Sequence, residues 1–188
     1  MKYHDSVRAV LVNFPQSMVD DRRRLGIDKS DERWDGEWHF VNPPRSWHNR
    51  LNCDMYEVLA PLARRRGLEP FGDCCGIFGD PESNWRIPDQ VYCRPEDVVE
   101  VGVVSAEFVV EVHSPGGEAY EKLPYFAERG VSEVLIVHED RRFELRRLGA
   151  DKTYALVDDG RSEALGVPFS TVDGPRLRIE WDRGSAEV

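Results

Sequence analysis

The clearest apolar stripe in the chain runs through Leu51, Met55, Val58, Leu59 and Leu62. These positions recur at helical spacing and predict one amphipathic helix, starting near Ser46 and stopping at Gly67. Arg64 to Arg66 place positive charge at its C-terminal end, where the helix dipole favours it. His48 falls on the same stripe and reads as a histidine on the inner face, while Pro61 leaves room for a kink. Upstream, residues 6–14 suit a short helix or strand and residues 20–26 read as a polar stretch. Residues 32–44 predict a hairpin about Asp35-Gly36, a strong turn dipeptide, stopped by Pro43 and Pro44.

Beyond that helix the period falls to two. Residues 68–80 are strand-like and Gly-rich, a turn follows at 81–84, and Trp85 to Cys93 is extended. Residues 94–104 predict a loop with room for one helical turn. A strand over 106–113 is broken by Ser114-Pro115-Gly116-Gly117, and a helix is expected over 117–129 with Gly130 as its C-cap. Residues 132–140 and 141–148 predict a second hairpin, and short strands follow, among them 153–157 and 176–181. The sum is an α/β fold with a central sheet and two main helices, expected as a single domain over residues 1–188.

Composition narrows the class. With 40% hydrophobic and 32% charged residues, neither a disordered chain nor a membrane protein fits. No run approaches the roughly 20 apolar residues of a membrane span. The N-terminus lacks the apolar core and cleavage site of a signal peptide, so a cytoplasmic setting is expected. Cys53, Cys74, Cys75 and Cys93 contain no CxxC pair and read as reduced thiols. The net charge of -10 sits badly with nucleic-acid binding by phosphate neutralisation, unless some acids gather around a cation. The arginine runs at 22–24, 64–66 and 141–147 read as solvated surface.

One position demands chemistry. In the strand over 106–113, Phe108, Val110 and Val112 share one face, while Val109, Glu111 and His113 share the other. A carboxylate inside so apolar a strand is costly unless it is paired or bound to a metal. Asp89 lies on a face with Ile87 and Val91, far enough upstream for a turn and a return strand. Spacing alone leaves two readings open. Asp89 and Glu111 could hold magnesium or manganese, or Glu111 could pair with Lys122 or an arginine. Glu118 and Lys122, at i and i+4, are expected to share a helical face and to pair.

Six short motifs follow one another in order: Trp34-Asp35-Gly36-Glu37; Pro43-Pro44 with His48; Pro88-Asp89; Val109 to Pro115; Glu118, Lys122 and Phe126; and Gly130 to His138. Together, over about residues 30–140, they resemble the Uma2 family within the PD-(D/E)xK nuclease superfamily. Some positions depart from the family: Glu118 stands for aspartate, Phe126 for tyrosine, Val134-Leu135 for Tyr-Trp and His138 for aspartate. His113 occupies the slot where the wider superfamily carries its lysine, which the resemblance moves to Lys122.

The resemblance implies a restriction-endonuclease-like mixed central sheet flanked by helices, with an N-terminal hairpin and extra C-terminal strands. It implies Asp89, Glu111 and the Val112 carbonyl as magnesium or manganese ligands, with Lys122 positioning the attacking water. Glu37 would complete the acidic cluster. His113 would bind metal, contact phosphate or hydrogen-bond. The implied activity is metal-dependent hydrolysis of DNA by a homodimer. Two other readings stay beside it: a nuclease-fold binding or structural protein without turnover, and a metal-dependent hydrolase of small phosphorylated substrates. No zinc finger, helix-turn-helix or P-loop pattern occurs.

Overall fold

The computed structural model describes residues 10–11, 15–41, 43–73, 75–80, 82–174 and 176–188. Its first elements are β1 (Val10–Leu11), α1 (Gln16–Leu25), β2 (Glu32–Trp34) and β3 (Glu37–His39). Then come α2 (Ser46–Arg65), β4 (Glu69–Phe71), β5 (Ile77–Asp80), β6 (Asn84–Arg86) and β7 (Gln90–Cys93). Two short strands, β8 (Val98–Val99) and β9 (Gly102–Val103), precede β10 (Phe108–His113) and α3 (Leu123–Glu128). The order closes with β11 (Glu133–His138), β12 (Phe143–Leu148), β13 (Tyr154–Leu156), β14 (Phe169–Val172), β15 (Arg176–Trp181) and β16 (Gly184–Glu187).

The central sheet runs β13-β12-β11-β10-β7-β4. It is mixed, because β10 and β11 are parallel while its other neighbours are antiparallel. A second sheet, β1-β3-β2-β6-β5-β9-β8, contains the N-terminal hairpin, and β14-β15-β16 form a third. Alternation along β10 divides the core as expected. Phe108, Val110 and Val112 pack with Leu51, Met55 and Leu59 of α2 and with Phe169, Leu177 and Ile179 of the third sheet. Val109, with Val91, Val134 and Ile136, packs on Tyr125 and Phe126 of α3 and on Ile77 and Val103 of the second sheet. This is the restriction-endonuclease-like arrangement, with helices on the central sheet and extra C-terminal strands.

Several local expectations change. The polar stretch at 20–26 is part of α1, which buries only Val19 and closes on Gly26 at φ 68°. An Arg22–Asp31 ion pair at 2.5 Å ties this helix to the loop before β2, a tertiary contact that no helical period reveals. The helix expected over 117–129 contracts to 123–128. Pro124 explains the loss: its ring and missing N–H fit a first helical turn and break an interior one. Residues 94–104 hold a 3-10 turn at Pro95–Asp97 and also β8 and β9. Of the segment 6–14 only Val10–Leu11 is described, a strand on β3, and the rest lies outside the described residues. Among the described residues no helix is long and apolar enough to cross a membrane.

Candidate active site

β7 and β10 bring the two acids together. Their antiparallel register pairs Val91 with Val109 and Gln90 with Val110. One step further sets Asp89 opposite Glu111. Pro88, which has no N–H, separates β6 from β7 and leaves Asp89 just ahead of the strand. Asp89 then supplies with its side chain what the ladder lacks: Oδ2 accepts the Val112 N–H at 2.7 Å.

Lys122 enters from the other side, at the N-cap of α3. Its side chain is buried, and Nζ lies 2.8 Å from Glu32 Oε1, 3.2 Å from Glu111 Oε1 and 3.0 Å from the Ile87 carbonyl it donates to. Glu32 Oε1 also accepts the Ile87 N–H at 2.8 Å, and Oε2 accepts the Trp34 indole N–H at 2.7 Å. Glu111 is less well served. Its Oε2 accepts from Lys122 Nζ at a long 3.5 Å, while its buried Oε1, 3.2 Å from the same ammonium, has no hydrogen bond.

The electrostatics follow from three carboxylates around one ammonium. Burial pushes Glu111 up to about 8; Lys122 opposes the rise, and Asp89 and Glu32 add to it. Burial works against the charged form of Lys122, but Glu111, Glu32 and Asp89 outweigh it and hold the ammonium above its ordinary value. His48 joins from the first turn of α2, with Nε2 3.4 Å from Asp89 Oδ2. Burial lowers the pKa of His48, yet its hydrogen bond and attraction to Asp89 raise it overall.

The remaining candidates fall elsewhere. Glu37 is exposed at the turn end of β3, where it pairs in register with Trp34. Glu118 does not meet the Lys122 ammonium; its Oε1 lies 3.0 Å from His39 Nδ1 instead, and His39 stacks on Trp34. One hydrogen-bonded turn, Lys122 N–H to the Glu118 carbonyl at 3.1 Å, links the two residues, but the lysine side chain goes to Glu32 and Glu111. His113 stands beside His138 and Tyr120, with ring centroids 5.1 and 5.2 Å away. Burial and His138 lower its pKa. Tyr120 in turn donates to Glu144 at 2.7 Å.

Glu32, Asn52 and Asp73 are the neighbours that the sequence did not announce. Glu32 and Glu37 lie on one face of the hairpin, because the register pairs Glu32 with His39 and Trp34 with Glu37. Only distance from the Asp35-Gly36 turn separates them, and the deeper one reaches the lysine. Asp73 accepts from Asn52 Nδ2 at 2.7 Å. Its pKa is raised by burial and by the charge of Asp89. Among the described residues, no group of three or more His, Cys, Asp and Glu side chains is placed to hold a metal ion. A site here would combine the two carboxylates Asp89 and Glu111 with a main-chain oxygen and water.

A mixed sheet with acids on two neighbouring chain segments and a buried lysine paired with one of them fits a nuclease-superfamily fold. The chain belongs to the Uma2 family, described as "Putative restriction endonuclease", whose pattern matches residues 23–174. The fold is also similar to the crystal structure of a protein from Anabaena variabilis ATCC 29413, described as a "putative nuclease belonging to DUF820". That likeness has a TM-score of 0.57 at 12% identity and covers 77% of this chain and 81% of that one. Comparison with curated proteins finds no match.

Proposed function

We propose that the acid–lysine cluster takes a divalent cation, magnesium or manganese, and that the chain hydrolyses phosphodiester bonds of DNA there. The observation that carries this reading is Glu111 Oε1, a buried carboxylate oxygen without a hydrogen bond, 3.2 Å from an ammonium whose donors serve Glu111 Oε2, Glu32 and Ile87. Buried acceptors are seldom left so, and a hard cation satisfies one. Asp89, Glu111 and the Val112 carbonyl are the groups that would hold it. When bound, such a cation neutralises charge building on a phosphoryl group and makes a coordinated water more acidic.

The chain's own groups then have separable roles. Lys122 stays an ammonium and acts as a donor, orienting the water or meeting the growing negative charge, and not as a general base. Glu32 and the Ile87 carbonyl fix its direction. His48 steadies Asp89. His113, set with His138 and Tyr120, is suited to hydrogen-bonding a flanking phosphate. Cutting both strands of a duplex calls for two such sites, so a homodimer in the cytoplasm belongs to this reading.

A second reading has its own support. Lys122 is already engaged by Glu32, Glu111 and Ile87, and the described residues offer no three-side-chain metal cluster. On that reading the chain keeps the nuclease fold as a binding or structural protein without turnover. Manganese calorimetry on wild type, Asp89→Asn and Glu111→Gln separates the two when run beside cleavage of duplex DNA, single strands, RNA and nucleotides. Binding lost in both variants, with duplex cleavage by wild type, supports hydrolysis of DNA. Binding without cleavage of any substrate supports the second reading. Cleavage of nucleotides alone moves the function to small substrates.

A further inference from the structure

α2 presents two polar side chains, one turn apart, to Asp89, the residue just ahead of β7. His48 meets the Asp89 carboxylate, and Asn52 meets its main chain, with Nδ2 3.5 Å from the Asp89 carbonyl and 2.7 Å from Asp73 Oδ1. Asn52 is only 4% exposed. An amide so buried needs all its groups satisfied. Its Oδ1 accepts from Gln90 Nε2 at 2.6 Å, and the same Nε2 donates to the Asn52 main-chain carbonyl at 2.8 Å. Gln90 Oε1 in turn accepts from the Tyr92 hydroxyl.

The donors therefore run one way, from Tyr92 through Gln90 and Asn52 to Asp73. This direction fixes both amides, since flipping Gln90 would set its oxygen against two carbonyl oxygens of Asn52. The Asn52 amino group is left committed to Asp73 and Asp89. Gln90 and Tyr92 belong to β7 itself, so the relay joins α2 to the strand that follows Asp89.

We propose that Asn52 is a positioning residue for Asp89: its amide ties the strand start and the Asp73 loop to α2 and so sets where the Asp89 carboxylate stands. The inference rests on the reading of Asp89 as a cation ligand. Groups that hold a ligand in place typically matter on the order of 10–100-fold in metal affinity.

The test compares Asn52→Ala, Gln90→Leu and Tyr92→Phe in manganese calorimetry and in urea unfolding. Affinity should fall most in Asn52→Ala, on the order of 10–100-fold. It should fall less in Gln90→Leu and least in Tyr92→Phe, whatever the order of their stabilities. Asn52→Ser has no donor long enough to reach Asp89 and carries the same expectation if the alanine variant does not fold. Wild-type affinity in the Asn52 variant overturns the proposal, and so do affinity losses that merely follow stability losses across the series. Failure of the wild type to bind manganese is a separate result: it removes the metal site itself, and this inference with it.

Discussion

Lys122 Nζ and Glu32 Oε1 meet at 2.8 Å, joining the turn before α3 to the N-terminal hairpin inside a site that water scarcely reaches. The contact gives the lysine a structural duty as well as a chemical one. Lys122→Ala would leave Glu32 and Glu111 buried without their cation, which costs about 3–5 kcal/mol. Urea unfolding of that variant in EDTA should show a loss of this size. A stability close to wild type would mean that the ion pair does not hold the two layers together. Lost activity in Lys122→Ala is consequently a poor test of catalysis, and Glu111→Gln or Asp89→Asn is a cleaner one.

Glu111 gives a stability prediction with a definite sign. Its pKa in the folded protein is raised from 4.5 to about 8. The folded state therefore holds this proton more tightly than the unfolded chain does. Its contribution to stability is full below pH 4.5 and is lost as the pH rises to about 8. Glu111→Gln carries no such proton. In metal-free buffer the wild type should lose stability relative to Glu111→Gln as the pH climbs through that window. Parallel stability curves for the two proteins would show that Glu111 is not held in its protonated form.

How much of this could be read from the chain depends on which rule each residue obeys. The alternation that put Glu111 opposite Phe108, Val110 and Val112 is a period-two property, and the core divides along it. The hairpin at Asp35-Gly36 follows because both residues tolerate positive φ, here 49° and 92°. The helical pattern before Gly130 runs past the true start of α3 because Pro124 suits a helix start, a distinction that periodicity does not carry. Glu32 was hidden by its likeness to Glu37: same face, same hairpin, same residue type. Only the pairing of the second sheet with the lysine loop tells them apart, and that contact joins positions far apart in sequence. Asn52 was invisible for a similar reason, since on a stripe of core positions it looks like an isolated exception.

The acidity of the chain shapes how it would meet DNA. With a net charge of -10, broad neutralisation of phosphates is not available to it. In B-DNA the slope of log affinity against log salt is about -0.9 per phosphate contacted. A shallow slope, smaller in size than about 3, is expected here, together with a marked gain in affinity on adding calcium as a non-catalytic divalent ion. Fluorescence anisotropy with a labelled duplex over a salt series measures both. A steep slope independent of divalent ions would place the contact on a basic surface away from the acid cluster.

The deeper acid of the hairpin supplies the sharpest comparison. Glu32 touches Lys122 and the Ile87 N–H, whereas Glu37 sits exposed beside the turn. Glu32→Gln keeps the shape but replaces the anion facing the lysine, and it leaves Lys122 oriented chiefly by Glu111 and Ile87. Metal-dependent cleavage by Glu32→Gln should fall by about a hundredfold, equivalent to roughly 2.7 kcal/mol of barrier. Glu37→Gln should stay within about twofold, a difference of roughly 0.4 kcal/mol. Both variants are to be compared at matched folded fraction, because Glu32 also contributes to stability through Trp34 and Ile87. Equal losses in the two would move the acidic cluster out to the hairpin tip. A loss confined to Glu37→Gln would mean that the hairpin shifts on binding substrate and carries its outer acid to the lysine.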